Sequence, residues 1–586
     1  MRPAERADVV PPGRGGTLAP VRIESRANSF AHPIIRRAVI CAPFVACIAL
    51  YAPAMSGYFL SDDMSVLFVV SGLQQKGHLW MQLFHKFSGG LDAQSNYYRP
   101  LTFLSFGLDF ALFGLESRYW HLVNLAGHLA AGAAIYRICR LLQPDPRDRW
   151  TAPFAAALFL LCGTNVEAVA WISGRYDVFA TALLLWAGAL YLRSRTSFDA
   201  FESGAWLCGI LALACKESAA LLPALIACVA WVKHAEVPAS ARLRALVRDL
   251  LPWAAMIGGY FALRLALFGS MFQVYPGTDP LQRIQTSTWL PGAAEIWAWL
   301  IAALPNEPAL VVVLAGSAIL LAIALRNALR DPALRRPLLA ILAALALSLA
   351  MLLPHLSGLS ARGEGGRLFY STTALSAIFL AIGSGRYFGP FGAYRRAAVF
   401  LFATATAMLV AHSVLLDAAL RPWRNAGAQM RMFVATIPEL RKSVAAGGYA
   451  LVIAPDAIGP APFARNAQGA IVIPPVQREW LLNAITVYLP ARLPDLPGRL
   501  QQQMIPVLQR LALNAAGDRI EDPHPGMIGA DALWPTDMFC WNVNASAVRR
   551  FDLPRDRSDP ARWLSALSMS ARTAGCDYVP SLVPSL

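Results

Sequence analysis

The chain has 586 residues, of which 56% are hydrophobic and 15% charged, with a formal net charge of +15 and a mean hydropathy of +0.46. A water-soluble globular protein carries nearer a quarter charged residues, so this composition excludes an ordinary soluble enzyme and points to a chain that crosses a membrane many times. The positive excess does not signal nucleic-acid binding, because the basic residues fall in short clusters between apolar runs, where they set membrane topology.

Residues 1–37 are rich in Arg, Pro and Gly, read as a disordered cytoplasmic terminus, and end in Arg36 and Arg37. A cleaved signal peptide is the competing reading, with Ala52-Pro53-Ala54 imitating a cleavage site. The basic region is too long for one, and many further spans follow.

Apolar runs near the length that a bilayer requires follow one another and can be oriented by their flanking Arg and Lys. Segment 38–56 leads out and 119–142 returns to Arg137, Arg140, Arg147 and Arg149. Segments 151–163 and 175–192 form the next pair, closing on Arg193 and Arg195, and 202–215 and 217–233 form a tight hairpin ending at Lys233. Segments 250–269, 308–327, 337–355, 367–385 and 397–419 complete the series, with Arg326, Arg330, Arg335, Arg336, Arg386, Arg395 and Arg396 all on the inner side. This gives about eleven crossings. Two apolar runs, 99–114 and 289–305, break the alternation as crossings and read as re-entrant or interfacial helices at the outer face.

From 421 to 586 proline becomes frequent, charges mix, and β-like runs such as YALVIAP alternate with helical ones. The expected fold is therefore a membrane all-α domain over 38–420 followed by a small soluble α/β domain on the outer, non-cytoplasmic side. Seven of the nine cysteines lie in or beside spans and read as small apolar residues. Cys540 and Cys576 lie in the exported domain, where an oxidising compartment permits a disulfide between them.

The outer ends of the spans gather ionisable residues of both signs: Asp62 and Asp63 in the first loop, then Tyr97, Tyr98, Arg99 and His121. Glu167, Arg175, Asp177, Lys216, Glu217 and Arg264 follow, and Arg362, Glu364 and Arg367 complete the set. Each alone has a plain reading as a solvated loop, a polar turn or a snorkelling base. Together they outweigh it, since ionisable groups near the bilayer are costly and are kept where they pair or line a cavity. A carboxylate pair can act as general base toward an acceptor, or hold a divalent cation such as Mg²⁺ or Mn²⁺ through oxygen ligands. No His-x-x-His or similar ligand pattern decides between these. Arg, Lys and Tyr donors suit a departing phosphate, and apolar spans around them suit a lipid-linked one.

In order, DD in the first outer loop, YYRPLTFLSFGLDFALFG, YWHLVNLAGHLAAG, NVEAVAWISGRYDVFATALL, ACKESAALLPAL, YFALRLALFG and EGGRLFYSTTAL resemble the GT-C superfamily of polyprenyl-phosphate-sugar-dependent glycosyltransferases. Within it they are similar to bacterial relatives of the TMTC-type O-mannosyltransferases. The resemblance covers roughly 38–420. It implies an inverting transfer from a polyprenyl-phosphate-linked sugar to a glycan, lipid or protein acceptor, with one of Asp62 and Asp63 as base. It gives Arg99, Glu167, Arg175 and Asp177 supporting roles in the cavity, and sets Lys216, Glu217 and Arg367 against the lipid phosphate or the acids. It also implies an inner-membrane, multi-pass protein of a bacterium with its active site and C-terminal domain in the periplasm. Two departures stand out. Gly163-Thr164-Asn165 replaces the His-Pro common before EAVAW, and no 34-residue helical repeat follows the spans. The C-terminal domain is expected to orient the acceptor, against a purely stabilising role. The rival class is a transporter or flippase of a lipid-linked or anionic substrate, which would place its ionisable groups near mid-membrane between inverted repeats.

Overall fold

The computed structural model describes residues 33–80, 97–143, 145, 148–195, 199–271, 291–387, 395–444, 450–482, 484–495, 535–552, 554 and 559–581. The terminus expected to be disordered lies, up to residue 32, outside the described residues.

Helix α1 (Pro33–Tyr51) rises into a 3-10 turn and the first loop, which re-enters helix at α2 (Asp62–Gln75). After it come α3 (Pro100–Phe113), α4 (Ser117–Leu142), α5 (Thr151–Leu160), α6 (Val166–Ala170), α7 (Arg175–Arg193), α8 (Ala200–Leu213) and α9 (Leu222–Lys233). The membrane part closes with α10 (Ala239–Phe268), α11 (Ala293–Ala303), α12 (Glu307–Arg330), α13 (Pro332–Leu352), α14 (Tyr370–Ser384) and α15 (Arg395–Ser443). Helices α12 and α15 leave Val311, Val312, Leu321, Val399, Phe400 and Val410 outward and uncovered, which is stable only against lipid. The chain is a multi-pass membrane protein.

Among the described residues, seven helices are long and apolar enough to cross a membrane, or up to eight if the bent pair Thr151–Leu160 and Gly163–Ala170 is one span. The expected count of about eleven is therefore not reached by length and composition. Helix α7 has 19 residues but begins with Arg175 and Asp177 and ends with Arg193. Helices α8 and α9 have 14 and 12 residues, or about 20 Å each, short of the ~30 Å hydrocarbon layer. The two runs expected to be re-entrant or interfacial form short apolar helices, α3 with 14 residues and α11 with 11.

The boundary expected at 420–421 falls inside one helix. Helix α15 runs for 49 residues, about 73 Å, more than twice the hydrocarbon thickness. Its upper part buries Trp423, Ala426, Met430, Phe433, Ile437 and Leu440, a 3-4 spacing that defines one helix face. That face carries the C-terminal domain. Gln429 accepts from the Trp541 indole at 2.8 Å, and Phe433 packs on Phe463 and Trp541.

The C-terminal sheet has the order β4-β1-β5-β6 over Ile485–Tyr488, Ala450–Ile453, Asp537–Asn542 and Ala547–Phe551; β2 (Ala457–Ile458) and β3 (Ala461–Pro462) form a separate hairpin. Strand β1 is parallel to β4 and β5, and β6 is antiparallel to β5. Helix α16 (Pro560–Thr573) packs on one face through Trp563, Leu567 and Ala571. The expected disulfide is present, Cys540 to Cys576 across a separation of 36 residues. Closing a loop of that size contributes about 4 kcal/mol. Cys540→Ser should therefore lower the unfolding midpoint of this domain, followed by the fluorescence of Trp563 beside the bridge; an unchanged midpoint would show the bridge idle.

Candidate active site

The first loop folds tightly because Ser61 takes a left-handed backbone angle, φ 51°, and starts α2 with Asp62 and Asp63 in its first turn. Carboxylates are favoured there by the unpaired amides and dipole of the helix start. The two acids then diverge. Asp63 is 2% exposed; its Oδ1 accepts from the Ser173 N–H at 2.8 Å and the Ser173 hydroxyl at 2.5 Å, and its Oδ2 from the Leu60 N–H at 3.0 Å. Burial pushes its carboxyl up to about 7 against the pull of those donors. Asp62 is only partly buried. Its Oδ1 accepts from the Asn466 amide at 2.8 Å, and among the described residues no group donates to its Oδ2.

Beyond Ser173 lies the broken helix of α5 and α6. Trp171 donates from its indole to the Leu60 carbonyl at 3.2 Å, and the Arg367 guanidinium stacks 4.6 Å above its ring. Arg367 also pairs with Glu167 at 3.3 Å while keeping its side chain 35% exposed. Glu167 accepts from the Gly365 N–H at 2.7 Å, and Gly365 holds φ 108°, which a side chain would strain. Helix α11 props this loop, its Trp299 indole donating to the Glu364 carbonyl at 2.8 Å.

A second cluster adjoins the first. The start of α3 docks on the turn after α8, where the Leu101 N–H donates to Ala214 O at 3.0 Å. Arg99 consequently forks onto Glu217, at 3.0 Å from Nε and 2.9 Å from Nη2. Its guanidinium lies 4.0 Å over Tyr97 and 4.7 Å over Tyr176. The Tyr98 N–H donates to Glu217 at 3.2 Å, and Lys216 pairs with Asp177. Tyr176 feels the charges of Arg99, Asp62 and Asp63, and Lys216 those of Arg99 and Arg367. The acid pair and Arg99 thus lie within electrostatic reach of Tyr176, and Arg99 and Arg367 within reach of Lys216, at the same ends of the helices.

Three residues expected to line a cavity are buried instead. Arg175 is fully buried, held by Asp109 at 2.5 Å, Asn124 at 2.7 Å, Trp120 O at 3.0 Å and Ser105 at 3.2 Å. Arg264 is 2% exposed and donates to Met271 O at 2.9 Å, with Glu217 at 3.9 Å. His121 is 3% exposed and packs against Gly57. Glu364 borders the cleft but is committed to Arg465, which forks onto it at 2.9 and 3.0 Å and also pairs with Asp456.

Sequence reasoning missed Asp109 and Asn124, the partners of Arg175, and it missed Asp456, Arg465 and Asn466 of the C-terminal domain. Asp109 sits in the middle of an apolar interfacial helix, and an acid there was a visible signal of a buried partner. The acid pair does not fit a divalent cation held by both carboxylates, since three donors already occupy the Asp63 oxygens. Among the described residues no group of three His, Cys, Asp or Glu side chains is placed to hold a metal.

No protein-family model matches the chain. Among characterised proteins it is similar to the protein O-mannosyl-transferase TMTC2 of Mus musculus, 33% identical over 150 residues, which is 25% of this chain and 18% of that protein. It is likewise similar to the protein O-mannosyl-transferase Tmtc1 of Drosophila melanogaster, 31% identical over 186 residues, 30% of this chain and 21% of that protein. Over a quarter to a third of its length the chain is thus similar to TMTC-type O-mannosyltransferases. The match spans 10% of the length of TMTC3 of Mus musculus and 24% of Tmtc3 of Drosophila melanogaster. Among solved structures, the oligosaccharyltransferase of Archaeoglobus fulgidus overlaps 71% of this chain and 62% of its own, at 12% identity and TM-score 0.43. ArnT of Cupriavidus metallidurans, bound to undecaprenyl phosphate, overlaps 72% of this chain and 83% of its own, at 12% identity and TM-score 0.45.

Two outcomes follow from this geometry. Asp109→Ala leaves the Arg175 guanidinium buried and unpaired at a cost of about 3–5 kcal/mol, so the variant should lose folded, monodisperse protein in detergent; a wild-type melting curve would contradict the pairing. For Asp63, the folded value lies above the ordinary 3.8. Its contribution to stability is therefore fully present below about pH 4 and is lost as pH rises through about 7. Subtracting the pH–stability curve of Asp63→Asn from that of the wild type should leave this slope, and a flat difference would show that Asp63 does not titrate in this window.

Proposed function

We propose that the protein is a glycosyltransferase that moves a sugar from a polyprenyl-phosphate-linked donor to an acceptor hydroxyl on the extracytoplasmic face, with inversion and with Asp62 as general base. The observation that carries this reading is the division of labour in the acid pair. A raised carboxyl such as Asp63 would suit a base near neutral pH, but geometry precedes acidity: its oxygens are buried and occupied. Asp62, one residue earlier, offers a carboxylate at the rim of the same cleft.

In the proposed step the acceptor oxygen attacks the anomeric carbon, its proton passes to Asp62, and the bond from that carbon to the phosphate oxygen breaks. The electron pair leaves with the polyprenyl phosphate. Arg367, the most exposed base of the cleft, and Lys216 neutralise the charge that develops there. Each is paired with an acid in the resting protein, so the lipid phosphate exchanges with Glu167 or Asp177 rather than meeting bare charge. Ordered apolar helices beneath the cleft suit an isoprenoid chain. The orientation rests on Arg193, Lys233, Arg330 and Arg386, which lie at the opposite ends of the helices, as cytoplasmic bases do. The Cys540–Cys576 bridge agrees with an oxidising compartment above. The C-terminal domain, whose Asn466 bonds Asp62, would orient the acceptor.

Purified protein incubated with a panel of polyprenyl-phosphate sugars should release the lipid phosphate. Asp62→Asn should slow this by about 10²–10⁴-fold without altering the donor KM, and Arg367→Ala should raise that KM. Undiminished turnover in Asp62→Asn would remove this residue from the chemistry.

A further inference from the structure

Residues 463–466 of the C-terminal domain grip the start of α2, and with it the residue proposed as base. Strand β1 delivers the chain at its carboxyl end into the β2–β3 hairpin and then the segment 463–466. That is the end of a parallel sheet where ligand-binding loops gather. Four hydrogen bonds join this segment to the first turn of α2. The Ser61 N–H donates to Phe463 O at 2.9 Å, the Ser61 hydroxyl to Arg465 O at 2.6 Å, and the Ser65 hydroxyl to Asn466 O at 2.5 Å. Only the fourth involves a carboxylate: the Asn466 amide donates to Asp62 Oδ1 across 404 residues of sequence.

We infer that Asn466 is a positioning residue for the transfer, a side chain lent by the C-terminal domain that fixes the Asp62 carboxylate so that its second oxygen faces the acceptor. The inference rests on the reading of Asp62 as base. The chemistry of the neighbours explains why an amide stands here. Arg465, one residue away, would neutralise Asp62 and weaken it as a proton acceptor, but its guanidinium is turned aside onto Glu364 and Asp456. A neutral N–H orients the carboxylate without cancelling its charge. Asn466 also holds φ 58°, a left-handed conformation that Asn tolerates better than most residues. Through Arg465 and Glu364 the same segment grips the loop that leads into Arg367. One short piece of the C-terminal domain therefore sets the spacing between the proposed base and the proposed phosphate ligand, which is the geometry on which an in-line displacement depends.

The test uses the full-length protein and polyprenyl-phosphate donors. Asn466→Gly keeps the backbone angle and the bonds made by backbone oxygens while removing the amide. The expected result is a fall in kcat of about tenfold to a hundredfold, the worth of a hydrogen bond to a charged group, with the donor and acceptor KM unchanged. Against an Asp62→Asn background the same substitution should have no further effect on residual turnover. Asn466→Asp, nearly isosteric but turning a negative charge on Asp62, should lose more than Asn466→Gly and covers the case in which the glycine variant folds poorly. Wild-type kcat in Asn466→Asp, an effect on KM alone, or an equal loss from Asn466→Gly in both backgrounds would overturn the inference. Full turnover in Asp62→Asn would instead sink the base assignment itself.

Discussion

A carboxylate withdrawn from water holds the outer face together. Asp63 joins the first loop to the Trp171–Gly174 turn by accepting from Leu60 and Ser173, and an ionisable group so buried is tolerated only where donors surround it. Fixing this residue fixes its neighbour. Asp62 follows at the start of the same helix, and Trp171 carries the stacked Arg367 guanidinium toward the same cleft. That anchor acts with the Trp171 indole, which donates to the Leu60 carbonyl, to hold the two loops together.

The membrane part supplies the rest through breaks rather than through regular spans. The bend of 49° between α5 and α6 precedes the turn that carries Ser173 onto Asp63. Irregular backbone at such depth needs internal partners, and it has them: the Asn165 amide donates to Phe159 O at 3.0 Å, and Thr373 donates to Asn165 Oδ1 at 2.8 Å. Beneath, Arg175 ties α3, α4 and α7 together through Asp109, Ser105, Asn124 and Trp120. Above, α15 passes so close to the first loop that a side chain on Gly427 would meet Gly57 Cα at 2.8 Å. A continuous helix therefore ties the C-terminal domain to the first loop.

What the sequence disclosed follows from what bilayers penalise. Acids and bases at span ends stand out against an apolar background, so both members of the Arg99–Glu217, Lys216–Asp177 and Arg367–Glu167 pairs were legible, and so were Cys540 and Cys576. Orientation by Arg and Lys predicted the short helices α3 and α11. Three things were not legible. The fate of each charge depends on its partner, and Arg175 reads as a cavity residue until Asp109 is seen to neutralise it from a helix whose other residues are apolar. The length of α15 was hidden by Pro422 and Pro438, which normally end helices, although the apolar spacing from Trp423 to Leu440 continued through them. The contacts of Arg465 and Asn466 span a hundred to four hundred positions, and no local pattern encodes such distances.

The central claim is that one outer cleft brings a lipid phosphate and Asp62 to the same reacting carbon. The most direct measurement is an experimental structure in a lipid nanodisc with a bound polyprenyl phosphate. The account predicts density for the phosphate beside Arg367 and Lys216, with the Asp62 carboxylate facing it across a gap that a sugar ring would fill. A phosphate seated at the cytoplasmic ends of the helices, or an Asp62 side chain turned away from it into solvent, would contradict the account.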